Sequence, residues 1–323
     1  MHKRSFVKLL AMVVLASWAH ANAQEYPTRP IRVIVGAAAG SGTDLAPRIV
    51  SQKLSERLGW TIVVENRPGG DYVIATQATV DAPPDGYTLF SAASVTTIMP
   101  FAQKNLPFDF LRDLQPITRI TALQSAIWVA NNVPVQTFNE LLQWGRENPG
   151  KMNVGGSGNA NPLRFAFEAI RLKTKLPGEY ISYKTGATVV TDLASGNVPI
   201  GLTGIGNAAP FQREGKMKIV LILSQNRSSV YPDIPSMKDI GVDGATGDAW
   251  LGFLTRAGTP ATVVARLHKE IVAAVQLPEM KVQFNKIGMD PAYDASPEDF
   301  RKYLQNEITA NGNIIKAIGL KFE

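Results

Sequence analysis

The stretch that most limits how this chain can fold runs from Ile31 to Asp44, IRVIVGAAAGSGTD. Ile31, Val33, Ile34 and Val35 make a short β-branched run suited to a buried strand. Gly40 and Gly42 allow backbone angles that a Cβ resists, and Thr43 or Asp44 is placed to cap a helix. That helix is predicted by Leu45, Ile49, Val50, Leu54 and Leu58 at helical spacing and stops at Gly59. The same order then recurs. Thr61 to Glu65 reads as a strand, Asn66-Arg67-Pro68-Gly69-Gly70 as a turn and Tyr72 to Ala82 as a helix, after which Pro83-Pro84-Asp85-Gly86 leads into a third strand, Tyr87 to Ala92. Strands alternating with helices give a parallel sheet, so each glycine loop that follows a strand gathers at the carboxyl edge, where ligands bind.

Such a loop turns free N–H groups to one side, and the positive end of the helix dipole adds to them. A carboxylate or phosphate is favoured there without any charged side chain. No Lys follows the glycines, which excludes a Walker loop, and the third glycine of a dinucleotide fingerprint is missing. The expected ligand is therefore smaller than a nucleotide, with Ala38, Gly40, Ser41, Gly42 and Thr43 as its contacts in this loop.

Beyond residue 114 a long β-rich run from Gln115 to Val133 reads as a crossing into a second lobe. There Thr137 caps a helix through Trp144. Met152 to Val154 leads into the loop Gly155-Gly156-Ser157-Gly158-Asn159, and a helix opens near Pro162. Tyr180 to Lys184 and Ile219 to Leu223 read as strands with a helix from Val189 to Ala194 between them, Trp250 to Leu254 as another strand, and the tail from Pro260 as amphipathic helix. No residue-level repeat relates the halves. A length of about 300 residues exceeds what one core organises, and the expected division is residues 24–122 with 225–323 in one lobe and 123–224 in the other.

The chain begins with Lys3, Arg4 and Lys8 ahead of an apolar run from Leu9 to Ala19 and a small-x-small site at Ala21-Asn22-Ala23. This is a secretory signal peptide, expected to occupy residues 1–23 and to be cleaved near Ala23. The run is far short of the roughly 20 residues a bilayer-spanning helix needs, so the mature protein is expected in the periplasm. Without cysteine it has neither disulfides nor a lipid-bearing thiol. Three of the 33 basic residues leave with the leader, so 30 face 27 acidic ones; no basic block suggests nucleic acid.

Only His268 remains after the leader, beside the apolar stripe Val264, Leu267, Ile271 and Val275, where it reads as an ordinary boundary residue. Zinc sites built on Cys and His are therefore excluded, and no G-x-S-x-G elbow is present. Neither metal nor cofactor is expected.

YPTRPIRVIVG, GTD, VVENRPG, PPDGYTL, PGKMNVGGSGN, ISYKTG, IPSMKDIGV and RAGTPATVVARLHKEI follow one another over essentially the whole mature chain. In this order and spacing they resemble the substrate-binding receptors of tripartite tricarboxylate transporters, the Bug-type extracytoplasmic solute receptors. The resemblance implies a type II periplasmic-binding-protein fold, two α/β lobes with a ligand cleft between them. It also implies a monomeric receptor that holds a small carboxylate mainly through backbone amides and hydroxyls and delivers it to a membrane permease. In the second lobe this points to Ser157, Gly158, Asn159 and Thr185.

The departures from the family pattern bear on specificity. The first loop usually reads P-F-P-P-G-G-G-T-D, where this chain has Gly36-Ala37-Ala38-Ala39-Gly40-Ser41-Gly42-Thr43-Asp44. The second usually continues P-G-A-G-G-N-I-G, where Asp71 and Tyr72 bring a carboxylate and a phenol. Acidic residues are frequent where this chain has Pro199 and Thr203, and a histidine is frequent at Arg164. On the first turn of its helix Arg164 is disfavoured by the dipole, so a carboxylate partner is expected, the ligand or Glu168 four residues on. Asp71 either caps its helix or reads ligand charge. With Asp71 and Arg164 facing each other across the cleft, a ligand carrying an amine or ring nitrogen beside its carboxylate would match both. The competing functional readings are an exported hydrolase or transferase in the same cleft and a receptor docking on a signalling partner.

Overall fold

The computed structural model describes residues 26–103, 105–158, 161–228 and 230–320. The expected leader, residues 1–23, and Asn159 lie outside the described residues. In chain order the elements of the first sheet are β1 (Ile31–Val35), α1 (Gly42–Leu58), β2 (Ile62–Asn66), α2 (Val73–Val80), β3 (Thr88–Ala93) and β4 (Leu114–Leu123). The chain then builds β5 (Ser125–Ala130), α3 (Phe138–Glu147), β6 (Asn153–Ser157), α4 (Pro162–Thr174), β7 (Glu179–Tyr183), α5 (Gly186–Ser195), β8 (Ile200–Gly204), α6 (Ile205–Arg213) and β9 (Met217–Ile222). It returns through β10 (Ala249–Arg256), α7 (Ala261–Val275), α8 (Pro278–Lys286), β11 (Asp290–Pro291) and α9 (Pro297–Ile318).

Two mixed sheets result, ordered β11-β4-β10-β3-β1-β2 and β7-β6-β8-β5-β9. As the sequence pattern requires, β1 lies between β2 and β3 and runs parallel to both. Because β10 is antiparallel to β3 and to β4, the start of β10 and the end of β4 come to the same edge as the end of β3, with Leu251 opposite Ala93 and Ala249 opposite Leu123. In the second sheet β6 is parallel to β7 and β8. This arrangement of two α/β lobes is the expected fold class.

Both faces of the first sheet are covered, which is why its strands read as nearly unbroken apolar runs. Ile31, Val33 and Val35 join one buried cluster with Val50 and Leu54 of α1 and Leu267, Ile271 and Val275 of α7; Ile34 points the other way, toward Phe90, Phe300 and Leu304. Each such side chain stabilises the fold by about 1.5–3 kcal/mol. His268, next to this stripe, places Nε2 3.0 Å from the Asp294 carbonyl oxygen, a structural contact.

A single residue, Gln124, separates β4 from β5 and carries the chain from one sheet to the other. The return is longer than the expected crossing at Leu223–Ser224. Ile222 bridges to Ser236, and Met237, Val242 and Ala245 pack in the second sheet's core, so the chain stays with that sheet until it approaches β10. The second glycine run also differs from its expected loop form. Gly155 and Gly156 lie within β6, paired with Ile181 and Ser182 of β7, and the rings of Tyr183 and Tyr180 pack across them: a Cβ would come within 2.9 Å of the Tyr183 ring at position 155 and 2.6 Å of the Tyr180 ring at position 156.

Candidate functional site

The end of β8 approaches the first lobe, Gly204 against Leu123 and Gly206 against Gly288, and the residues that follow the parallel strands of each sheet are the candidate walls of the site. After β1, α1 begins at Gly42 with Ser41 in the N-cap position. Neither Thr43 nor Asp44 is the cap residue. Asp44 instead reaches back so that Oδ2 accepts the Gly40 N–H at 2.8 Å, while Arg48 Nε donates to the same carboxylate at 2.9 Å and Asn66 Nδ2 at 2.8 Å. Asn66 also donates to the Ala37 carbonyl at 3.0 Å, tying the end of β2 to the loop. Burial alone would raise the Asp44 pKa, but Arg48, the Gly40 N–H and Asn66 together hold it below the usual carboxylate range.

This clasp corrects one expectation, since the Gly40 N–H is already engaged within the protein. The Gly42 and Thr43 N–H groups, in the first helical turn, have no intrahelical acceptor and remain as donors. Around them stands a chain of hydroxyls. Ser41 Oγ donates to the Ala38 carbonyl at 2.7 Å and lies 2.9 Å from Thr43 Oγ1, with the Tyr72 hydroxyl near the Thr43 side chain. Burial raises the Tyr72 pKa, so the phenol is a neutral donor.

Tyr72 reaches this position through an unusual backbone. Gly69, Gly70, Asp71 and Tyr72 have consecutive φ values of 127°, 55°, 48° and 76°, so two residues with a Cβ follow two glycines in the left-handed half of conformational space. The turn lays the Tyr72 ring across Gly36, where a Cβ would overlap the ring, and edge-on to Phe90 at a centroid distance of 6.3 Å. Asp71 is exposed and makes no capping bond to α2, which excludes the capping reading.

In the second lobe the Gly158 N–H donates to the Tyr183 carbonyl at 3.0 Å and is likewise engaged within the protein. Asn161, which the sequence reading passed over, caps α4 by accepting the Leu163 N–H at 2.8 Å; its Nδ2 is 3.4 Å from Ser157 Oγ. Arg164 sits in the first turn of α4 with its guanidinium carbon 5.5 Å from the centroid of the Tyr180 ring. Glu168, one of the two partners expected for Arg164, pairs with Arg171 at 2.8 Å. Thr185 uses its hydroxyl in a capping box with Thr188. The structure thus brings Ser41, Gly42, Thr43 and Tyr72 together on one wall, and places Ser157, Gly158, Arg164 and Thr185 at the strand ends of the other.

Two neighbouring cavities share Leu123 and Met289. One of 60 Å³ is lined by Thr43, Ser94, Leu123, Trp250, Leu251 and Met289. Another of 280 Å³ lies between Ile205 and Gly206 of the second lobe and Leu123, Gln124 and Met289 of the first. Ser94 follows β3, a strand end the sequence exposes; Leu123, Trp250 and Met289 arrive from distant segments and carry no local signal. A larger cavity of 520 Å³, lined by Arg119, Asp248 and Glu307 among others, lies away from the parallel-strand ends and is not assigned to the ligand.

Residues 46–320 match the tripartite tricarboxylate transporter family receptor. A UPF0065 protein of Bordetella bronchiseptica is 33% identical, covering 94% of this chain and 92% of its own length. BugT of Bordetella pertussis is 26% identical over 94% of this chain and 93% of its own. Among solved structures, a TctC solute-binding protein from Polaromonas superposes with a TM-score of 0.83 at 25% identity, covering 90% of this chain and 99% of that one. A periplasmic transporter structure gives 0.69 at 30% identity over 92% and 100%.

Proposed function

The chain belongs to the tripartite tricarboxylate transporter receptor family, and from that premise we propose that its lobes hold a small carboxylate against the start of α1 and present it to a membrane permease of that transporter class. As a member of this family it is a periplasmic solute-binding receptor and not an enzyme. The observation that carries the carboxylate reading is the cluster of neutral donors at the end of β1: the N–H groups of Gly42 and Thr43 with the hydroxyls of Ser41, Thr43 and Tyr72. Donors of this kind hold an anion without a buried cation and release it when the cleft opens and water returns. On the facing wall, Arg164 and Ser157 are the proposed partners for the same carboxylate.

Gly42→Pro tests this reading. Proline suits the first helical position, and Ser41 already has the extended geometry, φ −71° and ψ 159°, that a residue before proline adopts. The substitution therefore removes one donor N–H while the helix survives. Carboxylates that raise the melting temperature of the wild-type protein should no longer do so in Gly42→Pro and should still do so in Gly42→Ala. Retained stabilisation in the proline variant would place the anion elsewhere.

A further inference from the structure

Met289 lines both the 60 Å³ cavity of the first lobe and the 280 Å³ cavity between the lobes. Its methyl group is also the nearest neighbour of Gly42, 3.3 Å from where a Cβ would stand there. A carboxylate held by the Gly42 and Thr43 amides therefore has Met289 beside it, and the rest of the molecule extends toward Leu123, Trp250 and Leu251. No ionisable side chain lines the 60 Å³ cavity among the described residues, and its hydroxyls belong to Thr43, Ser94 and Thr121. The charge that lines the neighbouring cavity is Asp290, an anion.

We propose that the solute is a monocarboxylate with an apolar body, seated against the Leu123–Trp250 floor, and that Met289 is the residue that sets this preference. The inference rests on the carboxylate reading above and adds the class of the remaining part of the ligand. A second carboxylate in the smaller cavity would lose its water and meet no cation, and in the larger one it would face Asp290; both disfavour a dianion. A thioether side chain is suited to this role because it is unbranched and polarizable and repacks against aliphatic or aromatic bodies alike.

The test is calorimetric titration of the mature chain with matched pairs that differ by one carboxylate, pentanoate against glutarate and benzoate against terephthalate. The monocarboxylate of each pair should bind at least tenfold more tightly. Met289→Lys should shrink or reverse that ratio by at least tenfold, and Met289→Leu should preserve it, with thermal melts confirming that both variants fold. A wild-type preference for the dicarboxylates, as expected if Arg164 took the second carboxylate, overturns the inference and leaves the carboxylate reading intact. An unchanged ratio in Met289→Lys overturns the role given to Met289. If no member of either pair binds, the carboxylate reading falls, and the inference with it.

Discussion

Gly36 and Tyr72 form the tightest dependence in the first wall. The ring occupies the volume a Cβ at position 36 would need, so Gly36→Ala forces Tyr72 away from Thr43 and Phe90. Overpacking of this kind costs about 1–3 kcal/mol. The loss should largely disappear when Gly36→Ala is made in a Tyr72→Ala background, a coupling that denaturant titration of the double-mutant cycle measures. Asp71 gives a different expectation. Its left-handed backbone suits asparagine, and its carboxylate bonds nothing in α2, so Asp71→Asn should change stability by less than about 0.5 kcal/mol. If the carboxylate faces the ligand, the variant should bind glutarate several-fold more tightly with pentanoate unchanged, and the gain should fade at high salt because Asp71 is exposed. Equal glutarate affinities in the two proteins would remove Asp71 from the cleft.

At the scale of elements, each wall depends on how a helix is started. On the first wall the Asp44 clasp joins the β1 loop, the first turn of α1 and the end of β2, leaving Gly42 and Thr43 as the open donors. On the second, Asn161 starts α4 and so positions Arg164 one turn in. Asn161→Ala should cost about 1 kcal/mol through the lost cap. It should also weaken ligand binding if Arg164 contributes, whereas Asn161→Asp, which preserves an accepting oxygen, should restore stability. Thermal melts with and without ligand separate the two effects, since binding adds RT ln(1 + [L]/Kd) to apparent stability.

For the whole molecule the relevant contacts lie beside the two crossings. The Asp248 carboxylate accepts the Ser125 N–H at 3.1 Å, and its own N–H donates to Thr246 Oγ1 at 3.1 Å, whose hydroxyl donates to the Leu223 carbonyl at 3.0 Å, so residues 246–248 tie both crossing segments together. Glu307 of α9 accepts Trp250 Nε1 at 2.9 Å and the Tyr303 hydroxyl at 2.8 Å. Burial pushes Asp248 up to about 6 and Glu307 up to about 7. A carboxyl whose folded pKa is raised binds its proton more tightly in the native state, so its contribution is most favourable below the unfolded value and is lost as pH rises through the folded one. Acidification from pH 8 to pH 5 should therefore stabilise the wild type relative to Glu307→Gln, by on the order of 2–3 kcal/mol. A constant difference across that range would contradict the assigned burial. The crossings also predict near-rigid closure of the lobes, because each wall holds only part of the donor set. Small-angle scattering should show a smaller radius of gyration at ligand saturation, and an unchanged value would count against closure.

Period and punctuation in the sequence determined the strand–loop–helix order of the first sheet, the helix stop at Gly59 and the buried stripe around His268, because these depend on neighbours close along the chain. The ordered motifs likewise carried the family and with it the two-lobe architecture. Only the tertiary structure decided which loop amides are open. Gly40 and Gly158 satisfy every local criterion for an anion loop, yet Asp44 and the Tyr183 carbonyl, brought in by folding, take their hydrogens. Gly155 and Gly156 read as a loop because glycine permits one, yet they pair with β7 and β8 as strand, and the Tyr180 and Tyr183 rings fill the space their missing Cβ atoms leave. The apolar floor was illegible for the same reason. Leu123, Trp250 and Met289 meet only because antiparallel β10 returns its start to the edge where β3 and β4 end, a long-range pairing that no local pattern encodes.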